Sequence, residues 1–141
     1  MEKILPLLDT RRISMRWGDM DAVGHLNNTY YFRYMEQIRV EWLEDAGFPI
    51  DPAGIGPVLG HTSCRYQREL TYPATVAITI EVEKVGRSSL KLRHHFYRQD
   101  DPATVYAVGE ATLVWVDYQA GKTVSIPEPI RALLRAVGVE A

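Results

Sequence analysis

The pattern of apolar and polar residues follows a helical period in the first third of the chain. Residues 29–46 carry apolar side chains that fall on one face of an amphipathic helix. These positions are Tyr31, Tyr34, Met35, Ile38, Trp42 and Ala46. Asn27, Asn28 and Thr29 are suitable N-cap residues, and Gly47 is a suitable stop. The pattern predicts one long helix, with most of its remaining surface supplied by Arg33, Glu36, Gln37, Arg39 and Glu41.

Farther along the chain the period changes to two. Apolar and polar side chains alternate over residues 75–83 and again over 90–96, as in half-buried strands. A third long strand is expected from about Val105 to Asp117. Its later half is apolar on both faces, which predicts burial against the core and against another subunit or layer.

Weaker patterns add elements at both ends of this series. Residues 11–17 and 58–70 are strand candidates, and residues 130–137 form a short C-terminal helix closed by Gly138. Consecutive strands with short connections pair antiparallel, so the order indicates an α+β fold. We expect a curved antiparallel sheet of about five strands wrapped around one long central helix. No repeat or linker composition divides the chain, so residues 1–141 are expected to form a single domain.

Composition narrows the classes of function. The chain has 141 residues, of which 46% are hydrophobic, and its 16 basic and 18 acidic residues give a net charge of −2. This balance argues against a general nucleic-acid or membrane-surface binder. No signal segment or membrane-spanning run is evident, and the single cysteine, Cys64, suits a reducing compartment. A cytoplasmic location is therefore expected.

The segment directly before the helix concentrates polar chemistry. It places Asp19, Asp21, His25 and Asn28 within ten residues, together with a glycine turn. A helix N-terminus offers unpaired N–H groups to a developing oxyanion, and a carboxylate nearby can act as a base or nucleophile. Asp, Asn and Gly are also ordinary turn residues, so the two aspartates could simply cap the loop.

Other residues with chemical potential are given simpler interpretations. His94 and His95 are adjacent on a strand and point to opposite faces, so a shared metal site is not expected. His61 is expected to be structural or to line a pocket, and Cys64 to be an ordinary strand residue. No Gly-x-Ser-x-Gly motif is present, which excludes the α/β-hydrolase route. We therefore expect no metal.

The run from Asp19 to Asn28 (DMDAVGHLNN), with YFRYME from Tyr31 and then Arg39, resembles hot-dog-fold acyl-CoA thioesterases of the 4-hydroxybenzoyl-CoA thioesterase-like family. Residues 86–90 and 114–127 resemble the central turn and last strand of that family. The resemblance implies a hot-dog fold and a homodimer or homotetramer, the latter a dimer of dimers. It also implies that acyl-CoA binds between two subunits.

The same resemblance implies particular roles. Asp21 matches the catalytic carboxylate, and backbone N–H groups around Asn28 would hold the thioester oxygen. His25 and Asn28 would orient substrate or water, although some family members have histidine at the position of Asn28. The turn containing Arg87, Ser88 and Ser89 would bind coenzyme A. The aromatic side chains expected to line the acyl pocket are Trp17 and Tyr31.

These observations predict an acyl-CoA thioesterase that hydrolyses acyl-S-CoA to a free acid and CoA. Asp21 would act as general base or as nucleophile, and no cofactor is expected beyond the CoA of the substrate. One alternative is an acyl-thioester hydratase or dehydratase of the same fold, which would need a histidine–carboxylate pair on the helix. That helix has Glu36 but no histidine. The other alternative is a non-catalytic acyl-CoA-binding protein.

Overall fold

A computed structural model describes residues 3–141. The strands in chain order are β1 (Leu7–Ser14), β2 (Ile55–Tyr66), β3 (Thr75–Val85), β4 (Ser89–Arg98), β5 (Ala107–Asp117) and β6 (Lys122–Thr123). The helices are α1 (Asn28–Asp45) and α2 (Glu128–Ala136), and a short 3-10 turn (Trp17–Asp19) precedes α1. Within residues 3–141, neither helix combines the length and the apolar character needed to cross a membrane.

The strands form one antiparallel sheet. Their order across the sheet is β1-β3-β4-β5-β2, and the two-residue β6 pairs with β5. β1 and β2 are thus the two long edge strands. This is the predicted α+β hot-dog fold, in which an antiparallel sheet of five long strands packs around one long helix.

The alternation in sequence becomes a buried inner face and a half-exposed outer face. On β3 and β4, every second residue is buried against α1, among them Val76, Ile78, Leu90, Leu92 and Phe96. The later half of β5 follows the same rule. Leu113 and Trp115 are buried, whereas the residues between and after them are half-buried on the opposite face.

The predicted apolar stripe of α1 is confirmed with two corrections, the first of which is that Ala46 is the half-buried C-cap and lies outside the helix. Tyr31, Tyr34, Met35, Ile38 and Trp42 are all buried. Arg39, which the sequence pattern assigns to the surface, is buried as well because it lies on the inner side of the helix.

Element boundaries shift for identifiable reasons. The first strand ends at Ser14 instead of residue 17, because residues 17–19 turn into a 3-10 helix with the buried carboxylate of Asp19 at its end. The second strand ends at Tyr66 instead of residue 70. The backbone N–H groups of Gln67 and Arg68 both donate to the carbonyl of Tyr106, which bends the chain away from the sheet.

A glycine on β5 lets α1 lie close to the sheet. A Cβ atom at Gly109 would clash with Sδ of Met35, a side chain that is fully buried on α1. Glycine is therefore required here by the close approach of the helix.

Gly109→Ala is expected to lower the free energy of unfolding by about 1–3 kcal/mol, because the added methyl group overpacks the contact with Met35. Urea denaturation monitored by tryptophan fluorescence measures the change. Gly18→Ala is the control, since a Cβ there meets nothing within 4 Å. Equal stabilities of the two variants would contradict the close approach.

Candidate active site

The loop before α1 is a small closed hairpin. Met20 and Leu26 form an antiparallel bridge across it. Inside the loop, the N–H of Asp21 donates to the carbonyl of His25 at 2.9 Å, and the N–H of Gly24 donates to the carbonyl of Asp21 at 3.0 Å. Gly24 has φ of 78°, which favours glycine at this turn. The loop therefore holds the backbone of Asp21 in place.

The carboxylate of Asp21 is half-buried and only partly engaged. Its Oδ1 accepts a hydrogen bond of 3.0 Å from the N–H of Val23. Its Oδ2 forms no hydrogen bond or ion pair with the residues that the structure describes. One oxygen is thus held by the loop, and the other is available to water or substrate.

Asp19, the first acid of the pair, has a different environment. It is only 4% exposed, and its Oδ2 accepts a hydrogen bond of 2.6 Å from the hydroxyl of Tyr34 on α1. Burial favours the neutral acid, but the hydrogen bonds from Tyr34 and Arg16 outweigh it and lower the pKa of Asp19. From the sequence alone, either aspartate could have a purely structural role in the loop. The structure gives that role to Asp19, because its buried carboxylate joins the loop to Tyr34 of α1.

The first turn of α1 leaves one backbone donor free. Asn27 is the N-cap, and its side-chain oxygen accepts from the N–H of Thr29 at 2.9 Å. The carbonyl of Asn27 accepts from the N–H of Tyr30 at 2.9 Å. The N–H of Asn28 has no partner among residues 3–141. Asn28 therefore supplies a backbone donor of the kind that can stabilise an oxyanion.

These groups share one open cavity of about 700 Å³. The loop and α1 contribute Asp21, His25, Leu26, Asn28 and Tyr31. The end of β2, the following loop and the residue before β5 contribute Tyr66, Gln67, Arg68, Glu69 and Tyr106. The structure thus brings four predicted site residues together and adds six others, Leu26 and the five residues just named.

Tyrosines form the apolar part of the cavity. The rings of Tyr31 and Tyr66 meet edge to face with centroids 4.8 Å apart. Burial raises the pKa of Tyr31 to about 12, so its phenol is neutral at physiological pH. The hydroxyl of Tyr66 donates to the carbonyl of Asn28 at 2.9 Å, which ties the end of β2 to the start of α1.

Charged groups line the mouth of the same cavity. Nε2 of His25 lies 3.6 Å from Oε2 of Glu69. Arg68 is exposed and forms no ion pair with any residue in the described range. The cavity therefore combines a partly free carboxylate, a histidine–carboxylate contact and an unpaired cation.

Four predicted site residues lie elsewhere. Trp17 is 73% exposed and does not line this cavity. Arg87, Ser88 and Ser89 lie at the opposite end of the sheet: Ser89 pairs with Val114, whereas the cavity lies near the pairing of residues 96 and 107. Seven residues along β4 correspond to roughly 23 Å.

The turn that contains these residues is firmly held. The carbonyl of Ser88 accepts from the N–H of Trp115 at 2.7 Å, and that of Arg87 accepts from the N–H of Ile126 at 2.8 Å. The guanidinium of Arg131 on α2 also donates to the carbonyl of Arg87 at 2.9 Å. The Arg87 side chain itself is exposed.

The remaining histidines and the cysteine have structural surroundings. His94 is fully buried towards α1, and His95 contacts Glu81 on the outer face, so the pair points to opposite sides as expected. His61 is exposed on β2. Burial raises the pKa of Cys64 to about 11, which keeps its thiol protonated and unreactive at neutral pH.

Comparison with known proteins places this fold among the thioesterases. A model of the thioesterase-like superfamily matches residues 15–134. The PA2801 protein from Pseudomonas aeruginosa, provisionally assigned as a thioesterase, is 40% identical, with 91% of this chain and 98% of that chain covered and a TM-score of 0.88. XC229 from Xanthomonas campestris, provisionally assigned as an acyl-CoA thioesterase, is 33% identical over 85% of this chain and 99% of its own, with a TM-score of 0.77.

A curated relative agrees with these structures. A protein of Aquifex aeolicus (strain VF5), provisionally named an esterase, is 28% identical over 134 residues, which are 93% of this chain and 99% of that protein. The chain belongs to the thioesterase-like superfamily. It is a thioester hydrolase with the hot-dog fold.

Proposed function

We propose that this thioester hydrolase cleaves acyl-CoA to a free acid and CoA, with Asp21 as its catalytic carboxylate. One observation carries the proposal: a half-buried carboxylate with a free oxygen lines the same cavity as the unpartnered N–H of Asn28. The similarity to XC229 supports acyl-CoA as the substrate class.

In the general-base route, Asp21 takes a proton from water as the water oxygen attacks the thioester carbonyl carbon. The carbonyl oxygen becomes an oxyanion and accepts a hydrogen bond from the N–H of Asn28. Collapse of this intermediate breaks the C–S bond, and the CoA thiolate recovers the proton from Asp21. The free acid and CoA–SH result, and no redox change or metal is required.

In the nucleophilic route, an oxygen of Asp21 attacks the carbonyl carbon and expels the CoA thiolate. The product is a mixed anhydride between Asp21 and the acyl group, which one water hydrolyses to the free acid and the Asp21 carboxylic acid, and the latter then gives its proton to the CoA thiolate. The free Oδ2 serves either route. Label at Asp21 after a single turnover in ¹⁸O-labelled water would establish the nucleophilic route, because water can add oxygen to the aspartyl carbon only when that carbon is part of the anhydride.

His25 and Tyr31 are proposed to position the acyl group and water around Asp21, since both line its cavity. Trp17 is exposed outside the cavity, so a role for it in acyl binding would need the substrate to extend towards the 3-10 turn.

Two copies of the chain are proposed to share each site. β2 is an edge strand, and Ile55, Val58 and Leu59 near its start are exposed apolar side chains. Antiparallel pairing of two β2 edges would bring the start of one strand to the end of the other. This arrangement would bring the turn with Arg87, Ser88 and Ser89 of a second copy towards the cavity, as a homodimer or a tetramer of two such dimers.

A panel of acyl-CoAs tests the activity. Thiol release is followed with a thiol-reactive dye, while ultraviolet absorbance follows enoyl conjugation. Release of thiol supports the thioesterase. A change in conjugation without thiol release would favour a hydratase or dehydratase, and saturable binding with neither change would favour a non-catalytic acyl-CoA-binding protein.

Arg87→Ala is expected to raise KM for acyl-CoA about tenfold, because one charge-assisted hydrogen bond to a phosphate is lost. KM for the matching S-acyl-N-acetylcysteamine, which lacks the phosphates, should stay unchanged. Arg12→Ala removes an exposed arginine on β1 and serves as the control. Equal effects on both substrates would reject phosphate binding by Arg87.

A further inference from the structure

A second cavity, of about 350 Å³, lies beside the cavity of Asp21. Gln67, which follows β2, lines both of them, so the two cavities adjoin where β2 ends. The other strongly polar side chains of the second cavity are Ser63 and Arg65 of β2, Arg93 of β4 and Glu110 of β5. These four are distinct from the side chains that line the cavity of Asp21.

The register of the sheet explains why these side chains converge. Glu110 pairs with Ser63 of β2 on one side and with Arg93 of β4 on the other. Paired residues point to the same face of a sheet, and so do residues two apart on a strand, so Arg65 joins them. The next residue of β4, His94, is buried towards α1. The second cavity therefore lies on the outer face of the sheet, opposite α1.

Three of these side chains offer hydrogen-bond donors that nothing among residues 3–141 accepts. The guanidinium of Arg65 is exposed and forms no hydrogen bond or ion pair in this range. The hydroxyl of Ser63 and the side-chain amide of Gln67 likewise have no partner there. The cavity thus presents a guanidinium, a hydroxyl and an amide that are all available to a ligand.

Arg93 adds a second guanidinium, which is held in position. Its Nη2 donates to Oε1 of Glu83 at 2.7 Å. Its Nη1 has no partner in the described part of the chain and, unlike Nε, is not shielded from solvent. Arginine presents its N–H donors in a rigid planar fork that suits the oxygens of a phosphate group. Because Glu83 already orders the side chain, little conformational entropy is lost when Nη1 binds a ligand.

Cations outnumber carboxylates in the wall of this cavity. Arg65 and Arg93 share it with one carboxylate, that of Glu110. Oε1 of Glu110 lies 3.7 Å from Nη2 of Arg93, and its Oε2 lies 3.8 Å from Nζ of Lys91. The charge of Glu110 is therefore shared between these two cations, which leaves the charge of Arg65 uncompensated. Such a wall attracts an anion.

Pairing of two copies along β2 would leave this cavity open. Such pairing uses the backbone N–H and C=O groups of the strand edge and continues the sheet sideways. Side chains on the outer face remain on the outer face of the longer sheet. A ligand therefore has access to the cavity both in a single copy and in a pair.

We propose that this cavity binds a phosphate group. In an acyl-CoA, the phosphate nearest the sulfur is joined to it by the pantetheine arm, and Gln67 marks where such an arm passes from one cavity to the other. CoA has further phosphate groups, which leaves a different one for Arg87 of a second copy. This source of the phosphate rests on the proposed acyl-CoA substrate. A free phosphate ion has the same chemistry and does not depend on that substrate.

Three substrates with the same acyl group test the first source: acyl-CoA, S-acyl-4′-phosphopantetheine and S-acylpantetheine, which lacks phosphate. Arg65→Gln is expected to raise KM at least about tenfold for the two phosphorylated substrates, because a charge-assisted hydrogen bond is lost. KM for S-acylpantetheine should stay unchanged. Because the phosphate is remote from the reacting carbonyl, kcat should also stay unchanged for all three. Steady-state thiol release measures both constants.

Calorimetric titration of the full chain with inorganic phosphate at pH 7 tests the second source without any thioester. Binding that weakens at least about tenfold in Arg65→Gln would support the phosphate site even if acyl-CoA is not hydrolysed. The titration thus separates failure of this inference from failure of the proposed function.

Two further variants make the test specific. Arg12→Gln is the matched control, since Arg12 is an exposed arginine on the other edge strand, β1, and does not line this cavity. It should change neither KM nor phosphate affinity. Arg65→Lys keeps the charge and should recover part of the affinity that Arg65→Gln loses.

Three results would overturn the proposal. An equal rise in KM for all three substrates would show that Arg65 does not act on the phosphate. Equal losses in Arg65→Gln and Arg12→Gln would show only a general attraction by positive charge. Unaltered KM, or no turnover at all, together with no phosphate binding that depends on Arg65 would show that the cavity is not a phosphate site.

Discussion

Asp21→Asn is expected to lower kcat for acyl-CoA hydrolysis at least about 100-fold, the lower end of what a general base contributes. The amide can still accept the hydrogen bond from Val23 that holds the loop, so the fold should remain. It can neither take a proton from water nor attack as a carboxylate. Steady-state thiol release and circular dichroism measure the two effects.

Asp51→Asn is the matched control for this variant. Asp51 makes the same kind of turn, in which its Oδ1 accepts from the N–H of Ala53 at 3.0 Å, but it does not line the cavity. Its replacement should leave kcat unchanged. Near-normal hydrolysis by Asp21→Asn would reject the assignment of the catalytic carboxylate.

Stability is expected to fall by about 2 kcal/mol between pH 7 and pH 5 because of His94 alone. Its pKa is about 4 in the folded chain and about 6.5 when exposed. Between these values the unfolded chain binds more protons than the folded chain, so acid favours unfolding. The loss begins near pH 6.5 and is complete near pH 4. Urea titrations at several pH values measure it.

His94→Gln is expected to flatten this pH dependence, whereas His61→Gln, at an exposed site on β2, should not. The carboxyls of Asp19 and Glu81, whose pKa values are held below the ordinary ones, act mainly below this pH range. The same slope in the wild type and in His94→Gln would show that another group is responsible.

The sequence predicted the elements whose period is strong. The stripe on α1 and the alternation on β3 and β4 each place a full row of side chains in the core, so tertiary context had little to override. The boundaries of the edge strand β1 were predicted less accurately. β1 was placed several residues late because its own pattern is mixed, and its end depends on the contact of Asp19 with Tyr34, which is remote in sequence.

The candidate site was likewise predicted only in part. Asp21, His25, Asn28 and Tyr31 are close in sequence, so one motif pointed to all of them. Tyr66 and Tyr106 reach the cavity only because β2 pairs with β5, in a register that sets Tyr66 opposite Ala107. A single sequence does not reveal that register.

The helical pattern of apolar residues also did not predict the burial of Arg39. Charged residues are almost always assigned to the surface of a helix unless a partner is known. Its partner, His94, lies 55 residues away on β4. Only the packing of α1 across the sheet brings the two together.

Through the hydroxyl of Tyr66, β2 is both an edge strand of the sheet and a structural support of the candidate site. The strand is an outer border of the sheet, and its last residue also holds the carbonyl of Asn28, the residue whose own N–H is the proposed donor. A second copy of the chain that pairs along this border would therefore contact the same strand that holds Asn28, the proposed donor to the thioester oxygen. Turnover per chain should consequently depend on protein concentration in the range where the copies assemble.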